Sequence, residues 1–133
     1  MTWWDKAARI FREWLNHKGG FRPQPGTTAS FRLTYRGKTI GVLVFHGDEW
    51  SFRYSDEFHQ GLKLRPLVEF PDVRKTYKSE QLWPFFEMRI PSLKQGEVQK
   101  IVEKERIDQK DEVQLLRRFG RRTTANPFEL IED

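Results

Sequence analysis

Positions 82–86 hold four large apolar side chains and one proline, and this crowding constrains the fold more than any other feature. Proline has a fixed φ and no N–H, so Pro84 suits the first position of a helix and pushes the preceding Trp83 towards an extended conformation. The pattern therefore predicts a loop that ends at Trp83, a short helix from Pro84 to about Arg89, and an end at Pro91.

The side chains of this short helix cannot all face the same way. Phe85 and Phe86 are neighbours, and we expect both to point to the core in part. Trp83 lies just outside the helix and has two interpretations. Its ring is either left exposed beside the helix or buried in the core, and the second is the commoner outcome for a single tryptophan.

Length and composition indicate one domain with an aromatic core. A chain of 133 residues buries roughly two-thirds of its unfolded surface. Only 37% of the residues are apolar, but 14% are aromatic, so few and large side chains build the core. The absence of cysteine excludes disulfides and thiolate metal sites and fits a reducing compartment. We expect a cytoplasmic protein. The net charge of +5 permits binding to nucleic acid, an anionic surface or an acidic partner.

The N-terminal part predicts an amphipathic helix and a linker. We assign residues 1–20 to the helix, which carries three tryptophans and ends at two glycines, and residues 21–29, with two prolines, to the linker. The charges within the helix exclude a signal peptide and a membrane span. Its apolar face must be covered, first by the chain's own sheet, less readily by a partner, and least by a membrane surface.

Residues 30–54 predict a three-stranded antiparallel meander with turns at Gly37 and Gly47. Alternation places Trp50, Phe52 and Tyr54 on one face of the third strand, as core rather than as a base-stacking platform. We expect a fourth, edge strand at about residues 66–70, because prolines flank it. Residues 72–79 are polar and predict an exposed loop.

The C-terminal third predicts two helices and a tail. Ser92 would cap a helix that runs to about residue 106, and a last helix would occupy residues 111–120 with Gly120 at its end. Residues 123–133 form an acidic tail that we expect to be partly mobile. The fold class is therefore α+β, a small antiparallel sheet packed with helices, with the domain at residues 30–122.

A search for chemistry finds no catalytic pattern. The three histidines are far apart and none has a carboxylate at metal-ligand spacing, and nucleotide-binding glycine patterns are absent. We expect a chain without enzymatic activity, cofactor or metal. The densest basic cluster offers an alternative function in nucleic-acid binding. Its members are Arg117, Arg118, Arg121 and Arg122.

Five segments in order resemble a known family. They are residues 35–43 (YRGKTIGVL), 50–54 (WSFRY), 65–71 (RPLVEFP), 85–91 with 96–97 (FFEMRIP and GE), and 115–121 (LLRRFGR). This order and spacing resembles the N-terminal subdomain of HipA-type toxin kinases and covers residues 30–122. Met88 and Arg89 stand where that family has Asn and Leu. The kinase glycine-rich loop, catalytic loop and metal-binding aspartate are absent from this sequence.

A chain that carries this subdomain alone resembles the HipS-like proteins of three-component HipBST toxin–antitoxin systems. The resemblance implies a non-catalytic antitoxin that binds and inhibits a HipT-type Ser/Thr kinase toxin, while a separate HipB-like helix-turn-helix protein binds DNA. It also implies that a tryptophan near the toxin's active site anchors the complex, and Trp83 is the residue that fits, with Leu82 and Phe85 beside it.

Three cations precede this tryptophan in the chain. Arg74, Lys75 and Lys78 would meet an acidic kinase surface. An ordinary solvated loop explains them equally well. Two alternatives to the antitoxin remain open, a nucleic-acid-binding module and an accessory subunit that supports a toxin–antitoxin–DNA repressor complex without contacting DNA.

Overall fold

The computed structural model describes residues 22–61 and 63–133, and these residues form an α+β domain around an antiparallel sheet. The sheet order is β4-β3-β2-β1-β5. The strands are β1 (Ala29–Tyr35), β2 (Lys38–His46), β3 (Glu49–Tyr54), β4 (Tyr77–Ser79) and β5 (Glu129–Glu132). The helix predicted at residues 1–20 lies outside the described residues.

The predicted meander of β1, β2 and β3 is confirmed. Both of its turns place two successive residues at positive φ, Arg36 with Gly37 and Gly47 with Asp48, as two-residue hairpin turns require. Gly41 of β2 has no space for a side chain, because a Cβ there would lie 2.5 Å from the Phe52 ring. The predicted core stripe of β3 is buried, with Trp50 and Phe52 at 0% exposure.

The fourth strand lies elsewhere than predicted. Residues 66–70 form a turn in which the Phe70 N–H donates to the Leu67 carbonyl. The prediction was wrong because this turn hydrogen-bonds to the Tyr54 hydroxyl, which accepts from the Leu67 N–H and donates to the Phe70 carbonyl. The strand next to β3 is β4, within the segment predicted to be an exposed loop. It is short and polar, as edge strands often are.

The described residues hold four helices, α1 (Asp56–His59), α2 (Pro84–Glu87), α3 (Gly96–Lys104) and α4 (Glu112–Phe119). The predicted start at Pro84 is confirmed, and the Asp111 carboxylate caps α4 as its N-cap. The prediction that Ser92 caps α3 was wrong, because Gln95 is the N-cap residue. The Ser92 hydroxyl accepts a hydrogen bond from the Lys94 N–H and its carbonyl accepts one from the Gln95 N–H, so both belong to a turn before the helix. No helix in these described ranges is long and apolar enough to cross a membrane.

The segments at either end of the predicted domain are part of its structure. The expectation of a partly mobile tail was wrong for β5, which pairs with β1 and buries Leu130. The strand was missed because it has only four residues and pairs with β1, which lies far away in the chain. On the other side, Arg22 donates to the carbonyls of Glu80 and Asp48, and Pro23 is buried. The described part of the linker therefore lies against the domain.

Candidate functional site

Trp83 occupies the N-cap position of α2 in an extended conformation, with φ −68° and ψ 148°. Its carbonyl accepts hydrogen bonds from the N–H groups of Phe86 and Glu87, each at 3.0 Å. Its ring is half-buried and packs edge-on against Phe70, with the ring centroids 5.1 Å apart. Neither sequence interpretation describes it fully, because one part of the ring joins the core and another part reaches the surface.

The neighbours of Trp83 divide between core and surface. Leu82 is 2% exposed and Phe86 is fully buried, so both hold the segment in place. Phe85 is half-buried and contacts Phe86 and Phe128, with centroids 5.1 and 6.1 Å away. Leu82 is therefore a core residue, while Trp83 and Phe85 retain surface that another molecule can contact.

The basic loop, residues 72–79, is the segment predicted to be an exposed loop. It carries three exposed cations, and none makes an ion pair with another described residue. Asp72 orders the loop, since its carboxylate accepts from the Arg74 N–H at 3.0 Å and its N–H donates to the Tyr77 hydroxyl at 2.8 Å. Tyr77 packs on Phe70, with the ring centroids 5.0 Å apart. Because Phe70 also contacts Trp83, one buried ring joins the basic loop to the predicted anchor. The three cations are Arg74, Lys75 and Lys78, the last of which belongs to β4 at the end of this segment.

The C-terminal arginines have a different environment. Arg117 pairs with Glu132, Arg118 with Glu105 at 2.9 Å, and Arg121 and Arg122 with Glu129 at 3.2 and 3.6 Å. Three of these four pairings are with residues of β5. The arginine cluster predicted as a nucleic-acid site thus faces carboxylates of its own domain.

Arg89 is a structural residue that the sequence did not single out for this role. Its side chain is buried, and it donates from Nη1 to the Gly120 and Arg121 carbonyls, at 3.0 and 3.2 Å. Nη2 donates to Asn126 Oδ1 and the Phe128 carbonyl, at 3.1 and 2.8 Å. Burial lowers the pKa of Arg89 to about 10. One indication of this role was present in the sequence, because Arg89 stands where the resembled family has Leu.

Two buried carboxyl groups, those of Glu87 at the end of α2 and Glu112 at the start of α4, lie near enough to interact. Glu112 is 1% exposed, and one carboxylate oxygen each of Glu112 and Glu87 is buried without a hydrogen-bond partner among the described residues. Burial raises the pKa of Glu87 to about 8. Burial and then the charge of Glu87 raise the pKa of Glu112 to about 9. Both groups are therefore largely protonated at neutral pH.

The described residues contain no group of three or more histidine, aspartate and glutamate side chains that could hold a metal ion. His46 ends strand β2 and His59 ends helix α1. The geometry of residues 22–61 and 63–133 thus offers a contact surface around Trp83 and Phe85.

A comparison with protein families agrees with this architecture. The family model described as HipA N-terminal domain matches residues 32–125 of the 133-residue chain. The match extends from β1 through α4 and includes Trp83, the basic loop and Arg89. A search of curated proteins found no match. The chain belongs to the HipA N-terminal domain family.

Proposed function

We propose that this chain is a non-catalytic antitoxin that binds and inhibits a HipT-type Ser/Thr kinase toxin, with Trp83 at the contact near the kinase active site. Family membership supports a toxin–antitoxin context. The observation that carries the proposal is the position of Trp83, which is fixed at an N-cap by Phe70 and Pro84 while part of its ring stays exposed. A residue ordered before binding loses little conformational entropy in the complex.

The size of the exposed ring limits what Trp83 contributes alone. A tryptophan side chain has roughly 200 Å² of surface, and burial is worth about 25 cal/mol per Å². Because most of Trp83 is already buried, a partner covers at most roughly a third of this surface, worth up to about 2 kcal/mol. The anchor therefore acts with its surroundings, and the exposed cations of the basic loop add attraction to an acidic kinase surface.

Nucleic-acid binding is the weaker alternative. The four arginines on which it rests are paired through Nε with carboxylates of their own domain, so part of their charge is already neutralised there. A HipB-like DNA-binding protein fits the proposal as a partner reached through the kinase.

The experiment is co-purification with a HipT-type Ser/Thr kinase, followed by the kinase's autophosphorylation rate at increasing amounts of the chain. We expect a stable complex and a rate that falls until one equivalent is added. Lys100→Ala, on the exposed face of α3 and outside the proposed contact, is a control variant that should inhibit the kinase as the wild type does. A complex with an unchanged rate, or no complex, contradicts the proposal.

A further inference from the structure

Val68 is the one large apolar side chain that is fully offered to solvent among residues 22–61 and 63–133, with 96% exposure. A single exposed apolar residue is ordinary on a protein surface. The surroundings of Val68 distinguish it, because the backbone that carries it is fixed and a groove adjoins it.

Three hydrogen bonds hold the turn of Val68 in place. The buried Tyr54 hydroxyl accepts from the Leu67 N–H at 2.8 Å and donates to the Phe70 carbonyl at 2.6 Å. The Glu69 carboxylate accepts from the Phe85 N–H at 3.2 Å, which ties the turn to the first turn of α2. Val68 is therefore presented in one position before any partner binds.

A groove of about 580 Å³ lies between this turn, α2 and the segment before β5. Its apolar lining includes Pro66, Leu67, Val68, Phe85, Met88 and Ala125. Glu69 is a charged group on its wall, and burial raises the pKa of this carboxyl while the Phe85 N–H opposes the shift. The groove is thus shaped for apolar side chains with few polar contacts.

The cations near the groove indicate which kind of segment would bind in it. Lys63 and Arg65 lead into the turn, are exposed, and make no ion pair with another described residue. The basic loop with Arg74, Lys75 and Lys78 follows the turn and shares this property. Positive charge therefore precedes and follows the groove-lining turn along the chain, which complements an apolar segment that carries carboxylates on either side.

The groove is also continuous with the contact proposed for Trp83. Phe85 lines the groove two residues after Trp83, and Phe70 closes the Val68 turn and packs against the Trp83 ring. We propose that the groove beside Val68 binds a short apolar segment of the kinase flanked by acidic residues, as a second contact of the interface. This inference rests on the proposed function and supplies the apolar area that Trp83 alone lacks.

The test is the affinity of the full chain for the purified kinase, measured by calorimetry, for wild type, Val68→Asp and the control Gln99→Asp on the exposed face of α3. Both substitutions add the same charge at exposed positions, so both variants keep the fold, which thermal unfolding checks. We expect Val68→Asp to weaken binding at least about tenfold and Gln99→Asp to leave it unchanged. Arg65→Glu should weaken binding more at low salt than at high salt.

The outcomes separate this inference from the function on which it rests. If Val68→Asp binds the kinase with wild-type affinity while Trp83→Ala loses inhibition, the groove is not a contact and the proposed antitoxin function still holds. No binding by the wild type overturns both. A wild-type chain that dimerises alone, and becomes monomeric with Val68→Asp, assigns the groove to a second copy and overturns the inference.

Discussion

Two basic surfaces of this domain differ in what surrounds their charges. The loop with Arg74, Lys75 and Lys78 is exposed and makes no ion pair within the described residues, and it adjoins Trp83 through Phe70. The C-terminal arginines form the denser cluster in the sequence, but each faces a glutamate. Density of positive charge along the chain is therefore a poor guide to which surface is available to a partner.

The paired arginines have a structural role instead. Glu129 and Glu132 belong to β5, and Arg117, Arg121 and Arg122 contact them from the end of α4 and the residues after it. Exposed ion pairs are individually worth about 0–1 kcal/mol, so they add modestly to the backbone pairing of β5 with β1. The same charge type stabilises one region and leaves the other ready for contact.

Arg89, just after α2, holds the C-terminal region through four hydrogen bonds, and its loss gives the largest expected effect. Arg89→Ala should lower the free energy of unfolding by roughly 3 kcal/mol, because four acceptors lose their partner in a buried site. Urea denaturation measures this change, with Arg53→Ala on the exposed side of β3 as control. Hydrogen exchange should increase first in β5. An unchanged midpoint would show that the network does not hold the C-terminal region.

The buried carboxyl groups of Glu87 and Glu112 predict that the free energy of unfolding falls as the pH rises. The folded-state pKa of Glu112 is about 9, above its ordinary value of 4.5, so the folded state binds the extra proton between these values. The contribution is fully present below pH 4.5 and is lost as the pH approaches 9, at about 1.4 kcal/mol per pH unit. Glu87, with a pKa of about 8, acts in the same direction.

Glu112→Gln keeps the shape of this side chain and removes its titration. Denaturation at pH 6, 7 and 8 should show a clearly shallower loss of stability in the variant than in the wild type. Glu87 and Glu69, whose pKa values are also raised by burial, contribute to the remaining slope. Arg22 and Asp111 are the other charged groups whose fields reach Glu112. Equal slopes for the two proteins would contradict the assignment of a protonated Glu112.

Charge reversal compares the two basic surfaces directly. Changing Arg74, Lys75 and Lys78 together to Glu should slow association with the kinase about tenfold at low salt, and less at high salt. The matched reversal of Arg117, Arg121 and Arg122 should change the association rate much less, although it also weakens contacts to β5. Stopped-flow association at two salt concentrations measures both. If both sets of substitutions slow association equally, the two basic surfaces do not differ in their availability to the kinase.

The smallest effect concerns nucleic acid. Arg118→Gln breaks the exposed pair with Glu105 and should change stability by about 0.5 kcal/mol or less. Titration with duplex DNA should show the weak, salt-sensitive binding of any basic protein, unchanged by this substitution. A loss of tight binding in Arg118→Gln would restore the nucleic-acid interpretation of the C-terminal cluster.

Local patterns predicted the centre of the fold well. Alternating side chains and glycine turns gave the meander, and Pro84 gave the start of α2. The two edge strands were missed because β4 and β5 are short and are defined by pairing with strands that lie far away in the chain. The apolar run at residues 66–70 looked like a strand, but the Tyr54 hydroxyl holds it as a turn.

The candidate site was predicted in its residues more than in its environment. The sequence and its family resemblance pointed to Trp83 and to the basic loop. How far the ring is exposed depends on Phe70, which lies 13 positions earlier in the chain. The role of Arg89 depends on acceptors 31 to 39 positions later. Such non-local contacts leave no mark in local patterns, which explains why these features were missed.

The most direct test of the central claim is the affinity of Trp83→Ala for the kinase, measured beside its thermal unfolding. We expect a folded variant whose affinity falls at least about tenfold and whose inhibition of autophosphorylation is lost at stoichiometric amounts, because the exposed part of the ring forms the contact. A variant that unfolds would make Trp83 a core residue. A folded variant that binds and inhibits as the wild type does would contradict the account.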